Sequence, residues 1–279
     1  MNKKSFNDFF ELYAKNVDNA NQHAFWQLSD ALITQIIKDN IPTGLDKNAT
    51  ILDAGGGTGR WACKLAKIYK SKFIVYDLSR DMLEKANQNI KKSGLEKRIS
   101  IFNGDLRSMN KIASNSISNV ISIYSPISFI YDKDKAFAEL YRILKKDGKI
   151  IIMGHGFFNA IASKINNYCA RADELSKLDK EKMVKWGEHV PNLNVFSKEI
   201  MEKDLAKAGF FIVKTYGVPV FVQSGSEDFD PENKKKSRIS ATLGDRDFFN
   251  QVFEMEMKYN SEPTLVNRGM NIFSIGMKK

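Results

Sequence analysis

The chain alternates short apolar runs with amphipathic stretches between about residues 50 and 155. This is the pattern of strand and helix units that build a buried parallel sheet. Each run is rich in Ile, Val or Phe, as expected of strands that are covered on both faces. The predicted strands are residues 50–54, 72–76, 99–102, 120–124 and 149–153. The predicted helices between them are residues 61–69, 80–93 (with Ser79 as its N-cap) and 133–144.

Helical patterns flank this core on both sides. Residues 1–45 have apolar side chains at helical spacing, which predicts an N-terminal helical cap over the functional edge of the sheet. Beyond the fifth strand, a helical lid insertion is predicted at about residues 157–196, with one apolar helical face made of Phe157, Phe158, Ile161, Ile165 and Tyr168. The rest of the chain predicts a helix from Ser197, a strand at 210–216, a polar loop at 223–243, a helix at 248–259 and a last strand at 271–277.

Composition narrows the class of protein. With 279 residues, 43% of them hydrophobic, the chain can bury one substantial core. It has no run of about 18 apolar residues and no signal-peptide pattern at Met1, so we expect a cytoplasmic protein without a membrane partner. Cys63 and Cys169 are far apart and there are only three histidines, which argues against a disulfide or a metal site. The net charge of +10 permits an anionic partner such as RNA without establishing one, and nothing indicates the oligomeric state.

A glycine-rich turn follows the first predicted strand and is the strongest chemical signal. Its residues are Gly55, Gly56, Gly57, Thr58 and Gly59. Glycine lets a ligand approach the backbone closely because it has no side chain. A dinucleotide fingerprint would place its third glycine where Arg60 stands, and a phosphate-binding P-loop would end in Gly-Lys-Ser/Thr. Both of these ligand classes are therefore disfavoured.

Acidic residues end three successive predicted strands. Asp53 precedes the glycine turn, where a carboxylate would repel a pyrophosphate but suits a ligand that carries an ammonium group. Asp77 ends the second strand, where an acid can accept hydrogen bonds from both hydroxyls of a ribose. Asp105 ends the third strand and could accept one from an adenine amino group. Each could instead be a turn or capping residue, but their joint occurrence favours a nucleoside ligand without phosphate.

With these motifs the chain resembles class I S-adenosylmethionine-dependent methyltransferases. The resemblance rests on residues 51–60 (ILDAGGGTGR), 76–83 (YDLSRDML), 104–106 (GDL) and 140–149 (LYRILKKDGK). It implies an α/β, Rossmann-like, seven-stranded, mainly parallel sheet with the last strand antiparallel, a methyltransferase domain over residues 46–279, and S-adenosylmethionine as cofactor. Tyr13 and Arg60 would contact the amino-acid end of the cofactor. The full set of expected cofactor-binding residues is Tyr13, Asp53, Gly55, Gly56, Gly57, Gly59, Arg60, Asp77, Leu78, Met82, Asp105, Leu106 and Tyr124.

The sequence gives less information about the methyl acceptor than about the methyl donor. Methyl transfer from a sulfonium needs alignment and exclusion of water more than a fixed catalytic residue. The fourth strand leads into Tyr124-Ser125-Pro126, not Asn-Pro-Pro-Tyr, which argues against amino-nitrogen methyltransferases that act on adenine or glutamine. No Pro-Cys pair occurs, which argues against the covalent cysteine route to cytosine C5. His155, just beyond the fifth strand, is the candidate general base, with a structural hydrogen-bonding role as the alternative.

Three hypotheses of function follow. The principal one is methylation of a small metabolite. The second is methylation of a tRNA nucleotide, because residues 216–221 and the C-terminal region resemble carboxymethoxyuridine-type tRNA methyltransferases. Against it, the first arginine of the chain is Arg60, so the N-terminal arginine of that group is absent. The third is a non-catalytic protein that binds the cofactor and serves a partner.

Overall fold

The molecule is built around a central, mainly parallel sheet, with helices between successive strands. The computed structural model describes residues 9–10, 14, 22–188, 190–229 and 234–279. The strands are β1 (Thr50–Ala54), β2 (Lys72–Asp77), β3 (Ile99–Asn103), β4 (Ile117–Ser122), β5 (Leu144–Gly156), β6 (Met183–Val184), β7 (Leu193–Phe196), β8 (Phe211–Val218) and β9 (Asn271–Met277). The helices are α1 (Ala24–Asn40), α2 (Arg60–Leu65), α3 (Arg80–Lys92), α4 (Lys133–Ile143), α5 (Phe157–Asn166), α6 (Ala172–Glu181), α7 (Lys198–Lys207), α8 (Arg238–Thr242) and α9 (Arg246–Tyr259).

Seven strands form the main sheet in the order β3, β2, β1, β4, β5, β9 and β8. The first five are mutually parallel, and β9 lies antiparallel between β5 and β8. The predicted α/β fold with an antiparallel last strand is therefore confirmed. The short strands β6 and β7 are an addition to the predicted seven, because His155 and Gly156 at the end of β5 pair in parallel with Val195 and Phe196.

Helices cover both faces of the sheet and give the molecule two main apolar cores. In α1 the side chains at helical spacing, Phe25, Leu28, Leu32 and Ile36, are fully buried in the core that also contains Ile51 of β1. Burial of each such side chain contributes about 1.5–3 kcal/mol. The helix is thus part of the layer that covers the sheet, and the division of the chain at residue 45 stays a prediction. None of the helices in the described ranges is both long and apolar enough to span a bilayer.

Two details of the sequence prediction are wrong for identifiable reasons. Strand β4 ends at Ser122, not at residue 124, because Tyr124 and Ser125 have φ values of 59° and 66° in the left-handed region. In α5 Phe157 is buried and Ile161 packs against the core, as expected of the predicted apolar face, but Phe158 and Ile165 are exposed. Ala160 and Lys164 complete the buried face instead, which apolar spacing alone does not predict. The capping prediction is confirmed, since the Ser79 hydroxyl accepts a hydrogen bond from the Met82 amide at 3.3 Å.

Candidate active site

The glycine turn joins β1 to α2 through left-handed backbone. Gly55, Gly57 and Gly59 have φ values of 72°, 51° and 68°, a region that side chains other than glycine rarely adopt. A Cβ atom at Gly55 would lie 2.4 Å from Cβ of Pro126, so the turn packs directly on the segment after β4. At Gly57 the nearest atom would be Sδ of the buried Met82, at 3.8 Å. The turn therefore leaves room at Gly57 for a ligand to reach the backbone.

Asp77 braces this turn from the end of the neighbouring strand β2. One carboxylate oxygen accepts a hydrogen bond from the Gly57 amide at 2.9 Å, and the other accepts one from the Ser79 amide at 2.8 Å. Burial raises the pKa of Asp77, and the backbone hydrogen bonds oppose that rise. The structure thus brings Asp77 and Gly57 together, while the contact of Asp77 with a ribose stays a prediction.

Asn103, a residue that the sequence analysis missed, ties β3 to the same edge. Its amide nitrogen donates to the carbonyl oxygens of Asp77 and Leu78, at 3.1 Å and 2.9 Å. The Leu78 side chain is 44% exposed beside this junction, and Leu106 is buried. The sequence signal that could have identified Asn103 was an asparagine at a strand end, in register with the acid Asp77 at the end of the neighbouring strand. The predicted contacts of Leu78 and Leu106 with the cofactor remain predictions.

Asp53 lies below the turn and is fully enclosed. Its carboxylate accepts a hydrogen bond from the Ala62 amide at 3.2 Å, and a Cβ at Gly56 would lie 2.7 Å from its carboxyl carbon. Burial raises the pKa of Asp53 to about 7, a rise that the nearby Asp77 charge reinforces. A cationic group brought to this position would favour the ionised carboxylate and lower that pKa.

The Asp105 carboxylate forms its hydrogen bonds with Arg107, two residues further along the chain. Its carboxylate accepts hydrogen bonds from the Arg107 side chain, at 3.0 Å from Nε and 2.5 Å from Nη2, and from the Arg107 amide at 2.9 Å. The hydrogen bonds from Arg107 lower the pKa of Asp105. An adenine amino group would therefore have to share this carboxylate with Arg107, so the contact of Asp105 with adenine stays a prediction.

Arg60 and Tyr124, both expected at the cofactor, meet on a side chain of α1. Asp30 accepts from the Arg60 guanidinium at 2.5 and 3.2 Å and from the Tyr124 hydroxyl at 2.6 Å, and Lys64 lies 3.2 Å away. Burial raises the pKa of Asp30, but the charge and hydrogen bonds of Arg60 outweigh it, so the pKa is lowered. The structure brings Arg60 and Tyr124 together, but both side chains donate hydrogen bonds to Asp30, so their contact with the cofactor stays a prediction. No sequence signal distinguished Asp30 from other polar residues of an amphipathic helix.

The segment around this cluster has two further unusual features. Tyr124 and Ser125 hold left-handed backbone without being glycines, a strain that concentrates at functional sites. The Trp61 ring lies 6.1 Å from the Tyr124 ring, and its buried indole N–H has no hydrogen-bond partner in the part of the chain that the structure describes. Tyr13, also predicted to contact the cofactor, lies outside the described residues.

His155 stands at the end of β5, where its amide donates to the Ser128 hydroxyl at 3.1 Å. Burial lowers the pKa of its imidazole to about 4, and a hydrogen bond with Asn271 only partly opposes this. The ring is therefore neutral and weakly basic at neutral pH, which corrects the premise that its pKa suits a general base. A catalytic role for His155 stays a prediction.

Comparisons with known proteins agree with this geometry. Residues 51–148 match the family model described as a methyltransferase domain. A protein of Methanococcus maripaludis described as an S-adenosyl-L-methionine-dependent methyltransferase is 25% identical, with 73% of this chain and 87% of that chain covered and a TM-score of 0.52. A chain from the complex between the Haloferax volcanii Trm112 methyltransferase activator and a methyltransferase has a TM-score of 0.60 at 13% identity, covering 96% of both chains, which shows the fold alone.

The curated relatives align over part of their length. The ubiquinone/menaquinone biosynthesis C-methyltransferase of Haemophilus ducreyi is 25% identical over 130 residues, which cover 45% of this chain and 49% of that protein. The chain thus spans about half the length of this relative. The sheet and the glycine turn are similar to those of class I S-adenosylmethionine-dependent methyltransferases. Residues 51–148 of this chain match the methyltransferase-domain family.

Removing the Asp30 carboxylate tests the cluster on α1. In Asp30→Ala the Arg60 guanidinium keeps its partly buried position without a counter-charge, so the free energy of unfolding should fall by about 2–3 kcal/mol, less than for a fully buried pair. Urea unfolding measures this. The control is Asp173→Ala, which breaks an exposed ion pair with Arg171 and should therefore change the stability much less than Asp30→Ala. Equal losses in the two variants would contradict the structural role of Asp30.

The low pKa of His155 predicts a stability change in acid. The unfolded imidazole takes up a proton near pH 6.5 and the folded one only near pH 4, so the unfolded state binds more protons between these values. The stability contribution is complete above pH 6.5 and is lost as the pH falls. From pH 7 to pH 5 the wild type should therefore lose about 2 kcal/mol more than His155→Gln in urea unfolding. The same loss in both proteins would show that His155 titrates normally.

Proposed function

We propose that this chain transfers the methyl group of S-adenosylmethionine to a small-molecule acceptor. The observation that carries the proposal is the left-handed glycine turn braced by the Asp77 carboxylate, with open space at Gly57 and the buried Asp53 beneath it. This set has acceptors for ribose hydroxyls and for a cationic group, and the Asp53 carboxylate beneath the turn would disfavour a pyrophosphate. It therefore suits a sulfonium nucleoside better than a dinucleotide.

In this proposal the residues of the protein bind and orient the two substrates, and no residue forms a covalent bond with either of them. When bound, S-adenosylmethionine would supply a methyl group on a sulfonium: an electron pair of the acceptor would form the new bond to the methyl carbon as the carbon–sulfur bond breaks, with S-adenosylhomocysteine as the leaving group. Asp77 fixes the ribose, Asp53 favours the positive amino-acid end, and the Gly55–Pro126 contact holds the end of β4 against the turn. The helical insertion at residues 157–196 closes over the acceptor and excludes water.

Aromatic side chains support a small, flat acceptor. Trp26 packs edge-on against both Tyr124 and Phe229, at ring distances of 5.5 Å and 5.4 Å. Trp186 of the insertion lies 6.2 Å from the His155 ring. The Haemophilus ducreyi relative is named for ubiquinone and menaquinone biosynthesis. An acceptor of that general type, a ring compound methylated at carbon, oxygen or nitrogen, fits a site with aromatic walls.

Isothermal calorimetry with S-adenosylhomocysteine tests the donor half of the proposal. The wild type should bind it. Asp77→Asn should weaken binding by about 1.5–3 kcal/mol, because the substitution removes the negative charge and replaces one of the two acceptor oxygens, which serve the backbone and the ribose, with an amide donor. Asp81→Asn is the matched control, since Asp81 is an exposed acid in the first turn of α3 and should bind like the wild type. If the wild type binds neither S-adenosylhomocysteine nor S-adenosylmethionine, the proposed function is wrong.

Transfer of label tests the acceptor half. The protein with methyl-labelled S-adenosylmethionine should place label in the small-molecule fraction of a cell extract, and none in purified total tRNA. Asp77→Asn is the control, because its weakened donor binding should reduce the incorporation. Label that appears only in tRNA and is lost on RNase treatment would replace the metabolite proposal with the tRNA alternative. Donor binding without label in either fraction would favour a non-catalytic role.

A further inference from the structure

The lid helix α5 buries a lysine while it exposes apolar side chains of its own. Lys164 shares the inward face with Phe157 and Ala160 and is only 8% exposed, whereas Phe158 and Ile165 are 48% and 51% exposed. Burial of an ammonium group costs free energy unless the group is paired and hydrogen-bonded. Packing alone would place an apolar residue at this position. The buried lysine therefore points to a role that packing does not explain.

The ammonium group of Lys164 faces a pair of aromatic rings that pack against each other at 5.3 Å, and it pairs with one carboxylate among the described residues. Its Nζ atom lies 5.4 Å from the centre of the Tyr168 ring and 5.9 Å from that of Trp186, within the range of cation–π attraction. The carboxylate is Glu174, at 3.3 Å, and its side chain is 44% exposed. An ammonium has three donors, and Glu174 accepts from one of them. In the described ranges the ammonium thus has capacity for a further anionic oxygen beside two aromatic faces.

This group is connected to the proposed methyl-transfer site through direct contacts. The Trp186 ring, which faces the ammonium of Lys164, also lies 6.2 Å from the His155 ring at the end of β5. The His155 amide donates to the hydroxyl of Ser128, in the segment that begins with Pro126. Pro126 in turn packs on Gly55 of the glycine turn. Trp186 therefore stands between the lid cation and the edge of the sheet where the donor would bind.

We propose that Lys164 and Trp186 form the acceptor subsite, and that the acceptor is a planar aromatic compound that carries a carboxylate. This inference rests on the proposed function and specifies its substrate class. The ring stacks against Trp186, and the carboxylate pairs with the Lys164 ammonium in place of, or beside, the exposed Glu174. The opposite end of the ring then points past His155 toward the glycine turn. Lys164 is a binding and positioning residue here, since it holds the end of the acceptor that does not react.

Calorimetry with simple aromatic acids tests this subsite separately from the chemistry. The protein is saturated with S-adenosylhomocysteine and titrated with benzoate, para-hydroxybenzoate and naphthoate, and with the neutral amide of each. At least one acid should bind the wild type, and Lys164→Met should weaken it about tenfold or more through loss of a charge-assisted hydrogen bond. The corresponding amide should bind the wild type and Lys164→Met equally.

Two further variants separate recognition from damage to the lid. Lys164→Arg keeps the positive charge and should bind the acid within about threefold of the wild type. Lys177→Met removes a lysine of the same insertion that is 64% exposed and paired with Glu181, and should bind like the wild type. Trp186→Leu should weaken acids and amides alike, because it removes the stacking surface and no charge.

The outcomes distinguish this inference from the proposed function. If S-adenosylhomocysteine binds but no acid binds, or if Lys164→Met binds the acid as tightly as the wild type, the subsite is wrong and the methyltransferase proposal stands. If S-adenosylhomocysteine itself does not bind the wild type, both are wrong. Loss of S-adenosylhomocysteine binding in Lys164→Met alone would assign the lysine to the structure of the lid and would also overturn the subsite.

Discussion

Two hydrogen bonds to the Asp77 carboxylate hold the carboxyl edge of the sheet together. They join the turn after β1, through Gly57, to the turn after β2, through Ser79. The turn after β3 is attached to the same point, since Asn103 and Gly104 donate to the Asp77 carbonyl oxygen. Backbone that reverses direction at the end of a buried strand must satisfy its polar groups locally. One acid and one amide do this here while leaving the outer surface of the glycine turn open.

A second carboxylate, Asp30, links the covering helix α1 to this edge. By pairing with Arg60 and accepting from Tyr124, it connects α1 with the first turn of α2 and with the strained segment after β4. Burial of such charges costs free energy that the pairing offsets, so we expect this cluster to contribute more to the orientation of α1 than to net stability. The consequence for function is positional. The Tyr124 ring and Trp26 of α1 meet at 5.5 Å, so the aromatic wall of the proposed acceptor site depends on that docking.

The parts of the molecule that follow from local rules could be predicted from the sequence. The glycine turn, the Ser79 cap and the last strand depend on residue type and short-range periodicity, and the structure has them as predicted. The partners of Arg60 and Asp105 could not be predicted, because each is decided by one nearby residue of opposite charge, Asp30 or Arg107, that carries no motif. The buried face of α5 was predicted only in part, since its apolar spacing gives no indication that Lys164 takes an inward position.

The electrostatics of the proposed site favour binding over proton transfer as the contribution of the protein. His155 has a pKa near 4, so it is too weak a base to remove a proton efficiently at neutral pH, whereas methyl displacement from a sulfonium needs little acid–base help. What the reaction requires is a fixed line from acceptor to methyl carbon to sulfur. The braced turn at Asp77 can fix one end of that line. At the other end, Lys164 and Trp186 can hold an acidic aromatic acceptor by groups remote from the reacting atom. The neutral His155, on the sheet side of Trp186, can border the acceptor ring without introducing a charge.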